Sequence, residues 1–103
     1  MCKSFKAFTD EELVKFVING NEQAFEELYQ RYCERIFKFL YSYVYNEEDA
    51  IDLMHDVFMR VYRHLRHFDT SRSFSSWLYK IAINCAKNHK YKEKKTDSMI
   101  QRE

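Results

Sequence analysis

The chain has 103 residues, enough for one domain burying about two thirds of its unfolded surface, with a single Gly and no Pro. Hairpins rely on Gly-rich turns and helix interiors need neither residue, so this composition argues against a β-rich fold and favours an all-α domain. The formal charge is +1, and aromatics make up 17% of the chain: too many for a disordered protein, and more than a small helical core requires.

Four helices are predicted, packed as a compact bundle. Thr9 followed by Glu12 forms a capping box, and the helix it starts near Asp10 carries Leu13, Val14 and Val17 inward. It stops at Asn19-Gly20, where Gly can take the left-handed cap. The second helix runs from about Glu22 to Val44, with Phe25, Leu28, Tyr32, Ile36, Phe39/Leu40 and Tyr43 three and four apart. Asn46 interrupts it. The third begins near Glu47 with three acids in its first turn, where the helix dipole favours them. Its inward stripe is Ala50, Met54, Val57, Val61 and Leu65, reinforced by Leu53 and Phe58. A loop of turn formers, FDTSRS, spans Phe68 to Ser73, and the fourth helix is FSSWLYKIAINCAKNHKYKEKK, Phe74 to Lys95. The remaining TDSMIQRE reads as the start of a linker or a frayed tail, which places the domain at residues 1–95 and the tail at 96–103.

Charge is unevenly distributed. From Asp10 to Asp52 there are eleven acids against four bases; from Arg72 to Lys95 there are seven bases against Glu93 alone. The basic part is an electrostatic footprint for a polyanion. On the fourth helix, Trp77, Leu78, Ile81 and Cys85 are predicted to share the core side. Lys80, Asn84, Lys87, Tyr91 and Lys94 make a second stripe, spaced four, three, four and three. Lysines neutralise phosphates without reading sequence, an Asn offers a donor and an acceptor to a base edge, and a Tyr ring gives a stacking surface. An ordinary solvated helix face accounts for the spacing equally well.

The third helix also has a polar face, of Asp52, His55, Asp56, Met59 and Arg63. Asp56 and Arg60, four apart, can pair on the surface, but that leaves Met59 among the charges unexplained; a Met there is typical of a docking surface. The three cysteines, Cys2, Cys33 and Cys85, form no CxxC pair, and the odd count argues for a reduced, cytoplasmic setting. Cys33 and Cys85 fall on apolar stripes and read as core. Cys85 with His89, or His64 with His67, supplies too few ligands for a metal site. No metal or other cofactor is expected. No apolar run is long enough to span a bilayer, so no membrane insertion is expected, and residues 1–8 do not form a signal peptide.

Four stretches carry a family resemblance. FTDEELVKFVINGNEQAFEELYQRY, DAIDLMHDVFMRVYRHLRHF and FDTSRSFSSWLYKIAINCAKNHKYKEKK, with the turn from Tyr43 to Asp49, resemble region two of bacterial RNA polymerase sigma factors. The similarity is to the extracytoplasmic-function (ECF) group of the sigma-70 family, and it covers about Phe8 to Lys95. It implies a transcription initiation domain with two partners. One is the RNA polymerase core, whose largest-subunit clamp coiled coil would meet Asp52, His55, Asp56, Met59 and Arg63. The other is the non-template single strand of the promoter −10 element. A flipped base of that strand would enter the loop of Phe68, Asp69, Thr70, Ser71, Arg72, Ser73 and Phe74, and Asn84 matches the family's base-contacting Asn. An anti-sigma factor is a further partner of such domains.

Two departures from the family stand out, together with one difference from principal sigma factors that other ECF members share. His55 occupies a position where the family usually has Gln, which adds a titratable contact. Trp77 matches the first of two adjacent aromatics that principal sigma factors use in melting, and the second is Leu78. The helix-turn-helix domain that reads the −35 element, region four, is missing up to Glu103. We therefore expect a fragment of a longer protein, the alternative being a natural region-two-only subunit. A helical module that binds only protein, as a scaffold or anti-sigma-responsive domain, is the second functional class; it would not need the Lys80–Asn84–Lys87 stripe. No Ser/His/Asp set, metal quartet or phosphate loop supports an enzyme.

Overall fold

A computed structural model describes the backbone of residues 5–102 and the side chains of residues 5–89. The described residues form four α-helices: α1 (Asp10–Ile18), α2 (Glu22–Val44), α3 (Glu47–His64) and α4 (Phe74–Arg102). Single 3-10 turns, Phe5–Ala7 and Leu65–His67, precede α1 and follow α3. No strand occurs among the described residues, so the all-α bundle expected from composition is the fold.

Short-range chemistry sets the boundaries. The capping box is complete: Thr9 Oγ1 accepts from the Glu12 N–H at 3.1 Å, and Glu12 Oε1 accepts from the Thr9 N–H at 2.8 Å. α1 ends as a Schellman motif. Gly20, at φ 97°, turns the chain while its N–H meets the Val17 carbonyl at 2.9 Å and that of Asn21 meets the Phe16 carbonyl at 3.0 Å. Asn21 caps α2 by accepting from the Gln23 and Ala24 N–H groups. Tyr45, left-handed at φ 53°, closes α2, and Asn46 Oδ1 then caps α3 through the Asp49 N–H at 3.0 Å. α4 runs through residues 96–102, the stretch read from sequence as the start of a linker or tail.

The core lies where α2, α3 and α4 meet, with α1 across one end. Leu28, Ile36 and Leu40 of α2 are fully buried, as are Val57 and Val61 of α3. The stripe predicted for α3 is buried at every position. That of α2 is half-buried at Phe25, Phe39 and Tyr43. On α4 the buried side is Phe74, Leu78, Ala82, Cys85 and Ala86, which corrects the sequence expectation. Trp77 and Ile81, placed on the core side from sequence, lie only half-buried at its margin, as does Cys33 on α2. Two alanines rather than two large side chains face the bundle, letting α4 lie close against it.

Leu78→Ala should cost about 2–5 kcal/mol in unfolding free energy, because it empties a fully enclosed site. Trp77→Ala should cost less, its ring being partly exposed already. The two denaturant midpoints decide the order; a larger loss at Trp77 would place the indole, not Leu78, in the core.

Candidate nucleic-acid and docking interfaces

The loop between α3 and α4 has two buried ends and an exposed middle. Phe68 and Phe74, expected from sequence among the strand-contacting residues, are 7% and 0% exposed. Their rings pack edge to face at 5.9 Å, and the Trp77 indole lies 5.0 Å from Phe68 and 6.0 Å from Phe74. They anchor the loop rather than line its surface. Between them Asp69 organises a tight turn: its Oδ1 accepts from the Ser71 N–H at 2.9 Å and the Ser71 hydroxyl at 2.7 Å, and its carbonyl accepts from the Arg72 N–H at 2.9 Å. Asp69, Ser71, Arg72 and Ser73 are exposed and Thr70 half-exposed, so hydroxyls and a guanidinium face solvent. Ser73 Oγ caps α4 by accepting from the Ser76 N–H at 3.3 Å.

From that cap an exposed stripe runs along α4 through Ser73, Ser76, Lys80, Asn84 and Lys87, spaced three, four, four and three. Asn84 stands roughly 15 Å beyond Phe74 at 1.5 Å per residue. Lys80 and Lys87 make no ion pair among the described residues, whereas Arg31 and Lys38 are each paired within their own helix. Free cations beside an exposed amide are what a phosphate-bearing strand requires. The Tyr91 and Lys94 side chains, the remainder of the predicted stripe, lie outside the described residues.

On α3 all five residues of the predicted docking face are exposed, but they divide. His55, Met59 and Arg63 line a groove of about 840 Å³ between α2 and α3, completed by Phe25, Tyr29, Phe58, Tyr62 and Arg66. Asp56 instead borders a small crevice toward α4 with Arg60, Cys85 and His89. Asp52 lies one turn before Asp56 on the same side. Two pairs of aromatics wall the groove: Phe25 meets Tyr62 at 5.1 Å and Tyr29 meets Phe58 at 4.8 Å, both edge-on. Met59 and Tyr62 are 58% and 54% exposed, an opening of apolar surface that charge patterning alone did not reveal. The surplus of aromatics and their i, i+4 spacing on both helices were the available signals.

Electrostatics elsewhere is structural. Arg31 pairs with Glu27 at 2.9 Å and Asp10 at 2.8 Å, and donates to the Phe5 and Phe8 carbonyls. Burial works against its charge, but these carboxylates outweigh it and hold its pKa above the ordinary value. The Tyr32 hydroxyl donates to Asp10, and burial followed by that bond pushes the phenol well above its usual pKa. Burial also raises the Cys85 thiol, which suits an inert core group. His89 Nε2 lies 3.6 Å from Asp49 Oδ2. Among the described residues no group of three His, Cys, Asp or Glu is arranged to hold a metal, and no helix is long and apolar enough to cross a membrane.

An exposed amide and cations thus extend from a braced polar loop, and an aromatic groove opens separately between α2 and α3. Residues 19–96 match the family model for sigma-70 region 2, and the chain belongs to that family. It is 38% identical over 80 residues to the RNA polymerase sigma-H factor of Pseudomonas aeruginosa, covering 78% of this chain and 42% of that one. It is 37% identical over 81 residues to the ECF RNA polymerase sigma-E factor of Escherichia coli, covering 79% and 42%. The chain thus spans less than half the length of these relatives. Among solved structures, it superposes on an engineered region 2 of sigmaE, determined by NMR in complex with GTAAAA. The TM-score is 0.81 at 35% identity, over 90% of this chain and 97% of that one.

The loop carries a pH signature. The Ser71 hydroxyl, then the Ser71 N–H, hold the Asp69 carboxyl below its ordinary pKa. The folded loop therefore favours the anion. Its contribution is complete above the ordinary carboxylate pKa of about 4 and is lost as pH falls through the lowered folded value. In an NMR titration the Ser71 amide shift should hold steady at neutral pH and move only below that value, and Asp69→Asn should abolish the transition. A midpoint at or above about 4 would mean that the turn is not formed in solution.

Proposed function

We propose that this chain is the promoter-reading and polymerase-docking domain of an ECF-type transcription initiation factor, acting in the cytoplasm. The observation that carries it is the exposed Lys80–Asn84–Lys87 stripe, without an ion pair among the described residues, continuous with the braced Asp69–Ser73 loop. In this reading the lysines hold phosphates of the non-template strand at the −10 element. The exposed middle of the loop receives a flipped base, and the Asn84 amide supplies both hydrogen bonds of one base edge. Flipping costs a few kcal/mol, so a base that fits the loop is favoured over one that does not. Trp77 offers a half-buried indole to the melted strand, whereas Leu78, fully enclosed, has no access to it. The α3 face of Asp52, His55, Asp56, Met59 and Arg63, with its aromatic groove, docks on the clamp coiled coil of the polymerase core. An anti-sigma factor would act by covering either surface.

Reading and holding separate by mutation. Asn84→Ala should weaken the best-bound single-stranded hexamer from a panel built around GTAAAA by about 1–3 kcal/mol and leave a scrambled hexamer nearly unchanged. Lys87→Ala should weaken both strands alike and flatten the log–log salt slope by about 0.7, the share of one single-strand phosphate contact. Fluorescence anisotropy measures both. Equal losses on both strands for Asn84→Ala would remove its reading role.

Docking is tested independently. Reversing charge at Asp52 and Asp56 together should lower affinity for the polymerase core while leaving helical circular dichroism and hexamer binding unchanged. An unaltered polymerase affinity would show that the contact lies elsewhere on the domain.

A further inference from the structure

We infer that Glu11, on α1, is a positioning residue for base reading: it fixes the first turn of α4, and with it the loop, in the register a specific strand requires. Glu11 Oε2 accepts from the Phe74 N–H at 2.8 Å, across 63 residues of sequence. Phe74 is the first residue of α4, and its N–H is one of the four that a helix start leaves without an intrahelical partner. Ser73 satisfies a different one, that of Ser76. A carboxylate at a helix N-terminus is favoured by the dipole and makes a charge-assisted bond.

The brace is itself anchored. Asp10, the preceding residue, is gripped by Arg31 of α2 and by the Tyr32 hydroxyl. The Tyr32 ring lies 5.8 Å from the Phe74 ring. α1 is thereby tied to α2, and Glu11 reaches α4 from a fixed base. The Asp69–Ser71 turn is local and orders only the middle of the loop. Where the loop joins α4, side-chain burial of Phe74 fixes the ring, and Glu11 fixes the backbone. Without Glu11, the Phe74 N–H loses its acceptor in a part-buried setting and the first turn loosens. The exposed stripe from Ser73 to Asn84 starts at that turn, so the distance and angle between loop and amide would no longer be set. A scrambled strand, held by lysines, does not depend on that register; a specific one does.

This inference rests on the base-reading role proposed above, and the experiment separates the two. In the full chain, affinities are measured for the best-bound hexamer of the GTAAAA-based panel and for a hexamer of the same composition in scrambled order. Glu11→Ala should lower the preference between them about fivefold, the scale of one helix-cap hydrogen bond. Scrambled-strand affinity and helical circular dichroism should be unchanged, and exchange of the Phe74 amide should accelerate. Glu11→Gln, whose amide oxygen can still accept, should recover most of the preference, and Glu26→Ala, an exposed acid on α2, should change nothing. Should Glu11→Ala unfold, Glu11→Asp, which withdraws the oxygen by one methylene, takes its place with the same expected results. An unchanged preference, or equal losses on both strands, overturns the positioning role if Asn84→Ala still lowers the preference. If neither substitution moves it, base reading fails and the inference fails with it.

Discussion

Phe74 is the junction on which the rest of the molecule depends. Its ring is fully buried against Tyr32 of α2 and against Phe68 and Trp77, and its N–H is held by α1. Burial of that ring fixes where α4 begins. The start of α4 in turn fixes the phase of everything after it, because each residue turns the helix by a constant angle. With Phe74 inward, Leu78, Ala82, Cys85 and Ala86 follow inward and Lys80, Asn84 and Lys87 are forced outward. The core and the proposed reading face are two consequences of one packing contact.

The uneven charge follows the same division. At least five of the eleven acids from Asp10 to Asp52 are engaged within the fold. Glu12 and Glu11 cap helices, Asp10 and Glu27 bind Arg31, and Asp49 meets His89. Lys80 and Lys87 of α4 are left to solvent. A chain whose formal charge is +1 can therefore present a cationic surface without sacrificing its internal pairing. Cations already paired within the domain would have to break those bonds to meet a phosphate; Lys80 and Lys87 do not.

Much of this was legible in the sequence, because the signals are local. The Thr9–Glu12 box and the Asn19-Gly20 stop each act within a few residues and sit where they were expected, while Asn46, expected only to interrupt α2, also caps α3. The α3 stripe was readable because its apolar residues have a single period. α4 was read less well. Its aromatics and Ile81 outweighed Ala82 and Ala86, although it is the alanines that face the bundle and Trp77 that lies at its margin. Size argued for burial, but close helix approach demands small residues. Two features depend on pairings between elements far apart in sequence. The groove needs Phe25 and Tyr29 of one helix opposite Phe58 and Tyr62 of another, and the Glu11–Phe74 bond joins residues that only the assembled fold brings together.

The contrast between the loop's ends and its middle bears on how a base could be accommodated. Phe68 and Phe74 are enclosed, so moving either would expose apolar surface, at about 25 cal/mol for each Å². The turn between them is exposed and held by hydrogen bonds that Asp69 accepts from Ser71 and Arg72, and water can replace such bonds at little net cost. Rearrangement is thus cheap at Ser71 and expensive at the anchors. On the proposed reading, a base entering the loop would exchange the Ser71 bonds for its own without disturbing the register of α4. Selectivity would then reside in how well the entering base replaces what the turn gives up, with the helix, braced from α1 and α2, fixing the place of Asn84.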